Sequence, residues 1–373
     1  MAHQRRYFPT LDGWRGLSVI GVILYHGRFG FFKSDSLLTR LSSHGDIGVD
    51  LFFAISGFLI CGLLLNEYEQ DGGINLRRFY IRRCFRILPP YYAAVAGIAA
   101  LSVFGAIRVN YSDLPSCLLL YRNYRLLGVD EAGGFYTAHF WSLAIEEHFY
   151  LIWPMVLIAV KPRRLGRVAF LLAMAVAGWR AFEGHFELFP TILIPSNLLA
   201  RTDAKVDALV WGCIAAICFP AIKRYVEGIR FTQLWLPIVA ILLVVEALHV
   251  PGLLVWQGIL LPALVLSTVL QPNNMLGRVL DWQPLRWVGT ISYSLYLWQE
   301  VFLPEVASEK ALGAFHYLQQ PPLSVLAMLL CACLSRYLLE RPMIQLGHSL
   351  STTTAPNMPP RPTLSPNAAL RGV

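Results

Sequence analysis

The chain of 373 residues is 56% hydrophobic and only 14% charged, with a mean hydropathy of +0.52. About a quarter of the residues in an ordinary soluble domain are charged, so this composition excludes a soluble fold and calls for lipid as the solvent. The formal charge of +8 fits basic cytoplasmic loops better than a nucleic-acid surface, and the seven cysteines lack the spacing of a zinc site and read as packing residues.

Residues 1–6 are polar and basic, and the apolar run after Leu17 ends in Tyr25, His26 and Arg28. That is not a small-residue cleavage site, so the run is expected to persist as the first span. Segments of about 17–25 apolar residues, long enough to cross a bilayer as helices, are predicted at 15–33, 46–66, 87–107, 139–160, 167–184, 205–222, 231–249, 252–270, 287–306 and 322–340. The expected fold is therefore an all-α, polytopic membrane bundle of about ten helices. With both termini in the cytoplasm, the inner segments hold roughly twice the Arg and Lys of the outer ones, which sets the orientation.

Ionisable groups inside spans are costly and face a protein interior or a wet cavity. In span 1, His26 lies eleven residues beyond Arg15, about 16 Å along the axis and about 20° round it, so both line one face. Span 2 brings Asp50 in from the outer side, within Gly48-Val49-Asp50-Leu51-Phe52-Phe53. Before span 3, Arg78, Arg82 and Arg86 form an i, i+4 stripe and Arg83 pairs with Arg86 at i+3. This stripe suits a polyphosphate, although five arginines on a cytoplasmic loop also serve as a headgroup anchor. The segment Leu114–Tyr121 is too short to span and is expected to be re-entrant or interfacial.

Span 4 also descends from outside and carries Glu146 and Glu147 about two turns in, so three carboxylates are expected to share the layer of His26. A carboxylate bound to an imidazole fixes its tautomer and stabilises the imidazolium, as a general base requires; either Asp50 or Glu146 could be that partner. The bland alternative is a structural buried histidine among ion pairs. At the outer start of span 6 the signs alternate through Arg201, Asp203, Lys205 and Asp207, which favours pairing within the segment over contact with an acceptor. Span 9 presents Ser292, Tyr293, Ser294, Tyr296, Gln299 and Glu300 as a polar lining. The tail, residues 346–373, reads as disordered. No phosphate-binding loop, G-x-S-x-G elbow or HExxH string is present, and no metal site is expected.

Six strings in order resemble the acyltransferase-3 family, bacterial integral-membrane acyltransferases acting on sugars and other hydroxyl-bearing acceptors. They are Leu11-Asp12-Gly13-Trp14-Arg15-Gly16 with Tyr25-His26; Gly48 to Phe58; Arg83-Cys84-Phe85-Arg86 with Pro89; Trp141-Ser142-Leu143 with Glu146 and Phe149-Tyr150; Ile291 to Trp298; and Glu340-Arg341-Pro342. The resemblance implies a membrane acyltransferase domain over residues 1–345 in the bacterial inner membrane. It implies a cytoplasmic acyl-CoA donor, acetyl-CoA above all, bound near Arg82, Arg83 and Arg86, with no resident cofactor. His26 and Arg15 would be essential for transfer to a saccharide or glycan hydroxyl; on the reading of the residues themselves, Asp50 or Glu146 would orient His26. Gln299 stands where many relatives have a second histidine, so no role is carried to it. Relatives often bear an extra periplasmic domain, and this chain is expected to complete transfer itself. The rival reading is a secondary transporter using the same groups as a proton relay; a noncatalytic export or sensor subunit is a third.

Overall fold

The computed structural model describes residues 8–32, 36–125, 134–189, 197–227, 233–248, 250, 252–303 and 311–353. Among them are helices, turns and no strands. Helix α1 (Pro9–Phe31) starts with proline, whose missing N–H costs nothing in a first turn; α2 (Leu37–Ser42) is short and capped by Ser36, whose hydroxyl accepts from the Thr39 N–H. Helix α3 (Ile47–Asp71) stops at Gly72 in the left-handed region, φ 71°. Helix α4 (Leu76–Val103) begins at Asn75, whose side chain accepts the Arg78 N–H at 2.9 Å. There follow α5 (Leu114–Leu118), α6 (Phe140–Ala159), α7 (Pro162–Phe186), α8 (Thr202–Lys205), α9 (Asp207–Val226), α10 (Trp235–Ala247), α11 (Leu253–Leu270), α12 (Met275–Leu280) and α13 (Gln283–Phe302). The last element is continuous: α14 (Leu323–Leu334), a π-helical turn at Ser335–Glu340, and α15 (Arg341–Thr353).

Seven helical runs among the described residues are long and apolar enough to cross a membrane: Leu37–Asp71, α4, Phe135–Ala159, α7, α9, α11 and Leu323–Thr352. Three other predicted spans each depart in one respect. Helices α1 and α13, of 23 and 20 residues, have the length but are more polar, and α10 is apolar but has 13 residues. The polarity of α13 points inward, since Ser292, Ser294, Gln299 and Glu300 are all buried.

Three sequence expectations shift. The arginine stripe lies in the first three turns of α4 rather than in a loop, because the helix starts at its Asn75 cap well before the chain becomes apolar. The segment Leu114–Tyr121 is a short helix and turn held against α4, where Tyr91 and Tyr92 donate to the Cys117 and Leu118 carbonyls at 2.8 and 3.0 Å. Helix α15 runs on to Thr353, into the predicted tail; residues 354–373 lie outside the described set.

Glycines set the closest helix crossings. Helix α1 packs most extensively on α13, and α3 on α9. A methyl added at Gly289 would lie 1.8 Å from the Asp12 carbonyl oxygen, and one at Gly57 would lie 1.9 Å from that of Leu209. Small residues let the backbones approach this far where no hydrophobic effect drives helices together in lipid. Because α1 meets α13 near both N-termini and again at His26 and Glu300, the two helices run parallel. Gly289→Ala is therefore expected to destabilise the protein by about 1–3 kcal/mol through overpacking. Gly178→Ala, with nothing within 4 Å of the added methyl, should be neutral or better, and thermal unfolding in detergent compares the two.

Candidate active site

A cavity of about 420 Å³ opens between α1, α3, α4, α6, α13 and the π-helical turn. At the end of the bundle where α1 and α13 begin, its lining includes Arg15, Arg83, Arg86 and Arg336, with Asp12, Glu146 and Glu340 among them. Arg15 lies 3.6 Å from Asp12, and Arg336 lies 2.5 Å from Glu340. Glu340 also accepts from the Ser294 hydroxyl at 3.1 Å. Arg83 sits over the Tyr150 ring, 5.1 Å from its centroid; the Tyr150 hydroxyl donates to Glu146 at 3.1 Å and meets Ser56 in a short contact. Cations in excess, partly held by carboxylates, make a port for a polyanion. The π-helical turn, which widens the helix by one residue, carries Arg336 and Glu340 to this lining.

At its other end the cavity narrows to Phe52, Ser142 and Tyr296. Ser142 and Tyr296 share a hydrogen bond of 2.6 Å, and Tyr296 donates to the His139 carbonyl at 2.9 Å. Next to this closure lies a trio in which His139 and Glu300 are fully buried and His26 is half-buried. The Glu300 Oε2 is 2.6 Å from the His139 Nδ1, and its Oε1 is 3.7 Å from the His26 Nε2. Helix α1 supplies His26, α13 supplies Glu300, and the turn before α6 supplies His139, with the Phe135 ring edge-on to His26 at 6.4 Å.

Glu300 is thus the carboxylate beside His26, and neither Asp50 nor Glu146 takes that place. Asp50 pairs with Lys205 at 2.7 Å. Glu146 belongs to the arginine end of the cavity with Tyr150; on α6 its side chain faces Arg15 and Arg83, not the layer of His26. Of the stripe, Arg83 and Arg86 line the cavity, whereas Arg82 turns to Glu67 at 3.6 Å. Positions 82 and 83 lie about 100° apart round α4, and the structure turns the 83/86 pair to the cavity. His26 itself lies beyond the closure and outside the cavity lining.

The sign alternation after Arg201 is resolved mainly by partners on other helices. Arg180 on α7 grips Asp207 at 2.8 and 3.1 Å and the Ala204 carbonyl at 2.6 Å. Arg201 bonds Glu183 at 3.0 Å and Asp203 at 2.6 Å, and Trp179 donates to Asp203 at 2.7 Å. Burial would raise the Asp203 carboxyl, but the donors Arg201 and Trp179 outweigh it and hold the group below its usual range. This cluster fastens α3, α7, α8 and α9 together.

A family model described as "Acyltransferase domain" matches residues 8–341. Among curated proteins, the chain is 28% identical over 325 residues to the peptidoglycan O-acetyltransferase OatA of Listeria monocytogenes, covering 79% of this chain and 49% of that protein. It is 30% identical over 370 residues to YrhL of Bacillus subtilis, provisionally named a peptidoglycan O-acetyltransferase, with coverage of 91% and 55%. A Staphylococcus aureus protein provisionally named an O-acetyltransferase is 29% identical over 318 residues, with 79% and 50% covered. The chain spans about half the length of the curated relatives it matches. No solved structure matches it.

Proposed function

Since the chain belongs to this acyltransferase family, we propose that it is a multi-pass O-acetyltransferase of the bacterial inner membrane, with ten spans and both termini in the cytoplasm. It takes an acetyl group from cytoplasmic acetyl-CoA and passes it to a hydroxyl of an extracytoplasmic saccharide, with peptidoglycan as the first acceptor to test. The single observation that carries this reading is the cavity, cationic where α1 begins and closed by Ser142 and Tyr296 next to the His26–Glu300–His139 trio.

In this reading the phosphates of the donor lie against Arg83, Arg86 and Arg336, and Arg15 steadies the arm that carries the thioester. Phe52 and Tyr296 close the far end of the cavity, which suits a two-carbon acyl group. His26, held by Glu300, takes the proton of the acceptor hydroxyl as it attacks the thioester carbonyl; the departing CoA thiolate recovers a proton. Asp50 supports the site as a structural ion pair, and Glu146 orders the arginine port. The relatives are named for O-acetyl transfer, which favours this reading over a transporter.

Truncating the donor tests the assignment of the port. Arg83→Gln is expected to raise KM for acetyl-CoA roughly ten- to hundredfold, the worth of one charge-assisted hydrogen bond, and to leave acetyl-pantetheine, which lacks the phosphates, unaffected. The assay follows release of the CoA or pantetheine thiol by the full chain in proteoliposomes, with chitopentaose or soluble peptidoglycan fragments as acceptor probes. Equal KM for acetyl-CoA in variant and wild type would remove the phosphates from this end of the cavity.

A further inference from the structure

We infer that His139 is a positioning residue for the transfer: it holds a fixed positive charge against Glu300, so that Glu300 can orient His26 without capturing it as an imidazolium. The inference rests on the reading of His26 as the base.

Hydrogen-bond directions assign the protons. The His139 Nε2 faces the Leu297 carbonyl oxygen at 3.2 Å, and a carbonyl only accepts, so Nε2 carries a hydrogen. The Glu300 Oε2 receives the backbone N–H of His139 at 3.4 Å, which only donates, and the ring Nδ1 at 2.6 Å. With Glu300 ionised, its oxygens only accept, so Nδ1 also carries a hydrogen. The ring is a cation held on both sides, with 1% of the His139 and Glu300 side chains exposed.

The consequence falls on His26. A buried carboxylate with no cation of its own binds any neighbouring imidazole in its charged form, because an isolated charge in such a place is costly. An imidazolium has no lone pair with which to take a proton. With His139 charged, Glu300 is already neutralised, and its second oxygen, 3.7 Å from the His26 Nε2, can orient the ring electrostatically and stabilise the charge that develops on it during transfer. Among the described residues, Arg122 also lies in electrostatic range of Glu300, and it is matched by Asp113 at 3.0 Å. His139 lies outside the cavity lining, so its effect should fall on the chemical step and not on donor binding.

The test is a cycle of His139→Gln, Glu300→Gln and the double variant, assayed by thiol release from acetyl-CoA in proteoliposomes with chitopentaose present, normalised to monodisperse protein. His139→Gln strands the Glu300 charge and is expected to lower kcat about a hundredfold with KM within about twofold, within the usual range for a base. Glu300→Gln removes the charge that needed matching and should cost about tenfold. The double variant is expected to match Glu300→Gln and so to be more active than His139→Gln alone. His139→Lys, which keeps the charge without the ring, should retain at least about tenfold more activity than His139→Gln. A double variant as poor as or poorer than His139→Gln, or a loss carried by KM, would overturn the inference. If His26→Gln instead keeps full activity, the base assignment itself fails, and that outcome is read independently of the cycle.

Discussion

Replacing His26 with glutamine is expected to lower kcat by roughly 10²- to 10⁴-fold, the range that a positioned general base supplies, while KM for acetyl-CoA changes by less than about threefold. Glutamine preserves most of the volume next to Phe135 and a donor towards Glu300, so the loss would report chemistry and not a collapsed helix contact. KM should hold because the groups proposed to bind the donor lie at the other end of the cavity, by Arg83, Arg86 and Arg336. The same variant separates two routes. If His26 carries the acetyl group transiently, wild-type protein given labelled acetyl-CoA without acceptor should hold a hydroxylamine-sensitive label that the variant lacks. If His26 acts only as a base, neither protein should be labelled, yet the kcat deficit should remain. Undiminished kcat in His26→Gln would remove the residue from the reaction.

The second large effect is on stability. Asp207→Ala leaves the Arg180 guanidinium, 8% exposed, without the carboxylate that it meets at 2.8 and 3.1 Å. Stranding a buried charge typically costs about 3–5 kcal/mol. The expected result is a steep fall in the unfolding midpoint and in the yield of monodisperse protein. Removing both charges together, as Arg180→Met with Asp207→Leu, should recover most of the loss, since a buried pair replaced by apolar groups is often neutral. Because the clamp lies away from the cavity, the molecules that remain folded should keep KM for acetyl-CoA. An Asp207→Ala protein as stable as wild type would show that the pair does not hold these helices.

The two predictions concern residues that the sequence presented unequally. The membrane character, and most helices, follow from the apolar runs alone, because lipid requires each span to satisfy its own backbone hydrogen bonds. What hydropathy could not show was α4 starting at Leu76: a helix end is set by its cap, here Asn75, and two of the arginines in the charged turns before Ile87, Arg83 and Arg86, face the cavity rather than water outside the protein. Arg15 and His26 were legible from spacing on one helix. The partner of His26 was not, because helix order in a bundle is fixed by packing; the glycine crossing of α1 with α13 brings Glu300 to it from 274 positions away in sequence. Asp50 and Glu146 reached plausible depths, but depth does not fix which side of a helix a residue faces. His139 escaped notice as a lone histidine at the start of an apolar run, its partner Glu300 lying 161 residues on. The available signal was that Glu300 and His139 were both ionisable and both near the outer ends of their spans. The π-helical turn and Arg336 left no mark in the pattern, and Glu340 was legible only as part of the Glu340-Arg341-Pro342 string.

The Ser142–Tyr296 closure has a consequence for the energised membrane. Each elementary charge moved across the bilayer exchanges about 2.3 kcal/mol per 100 mV with the potential, and a water-filled passage joining both faces would dissipate that potential as ions. If the proposed function holds, a cavity that ends on a hydroxyl pair would keep the donor's phosphates and their arginines on one electrical side, while the group passed on, an uncharged acetyl, would carry nothing for the field to act on. On that reading, acylation of the outer face would proceed at the same rate in resting and fully charged cells, and the bundle would span the membrane without becoming a leak.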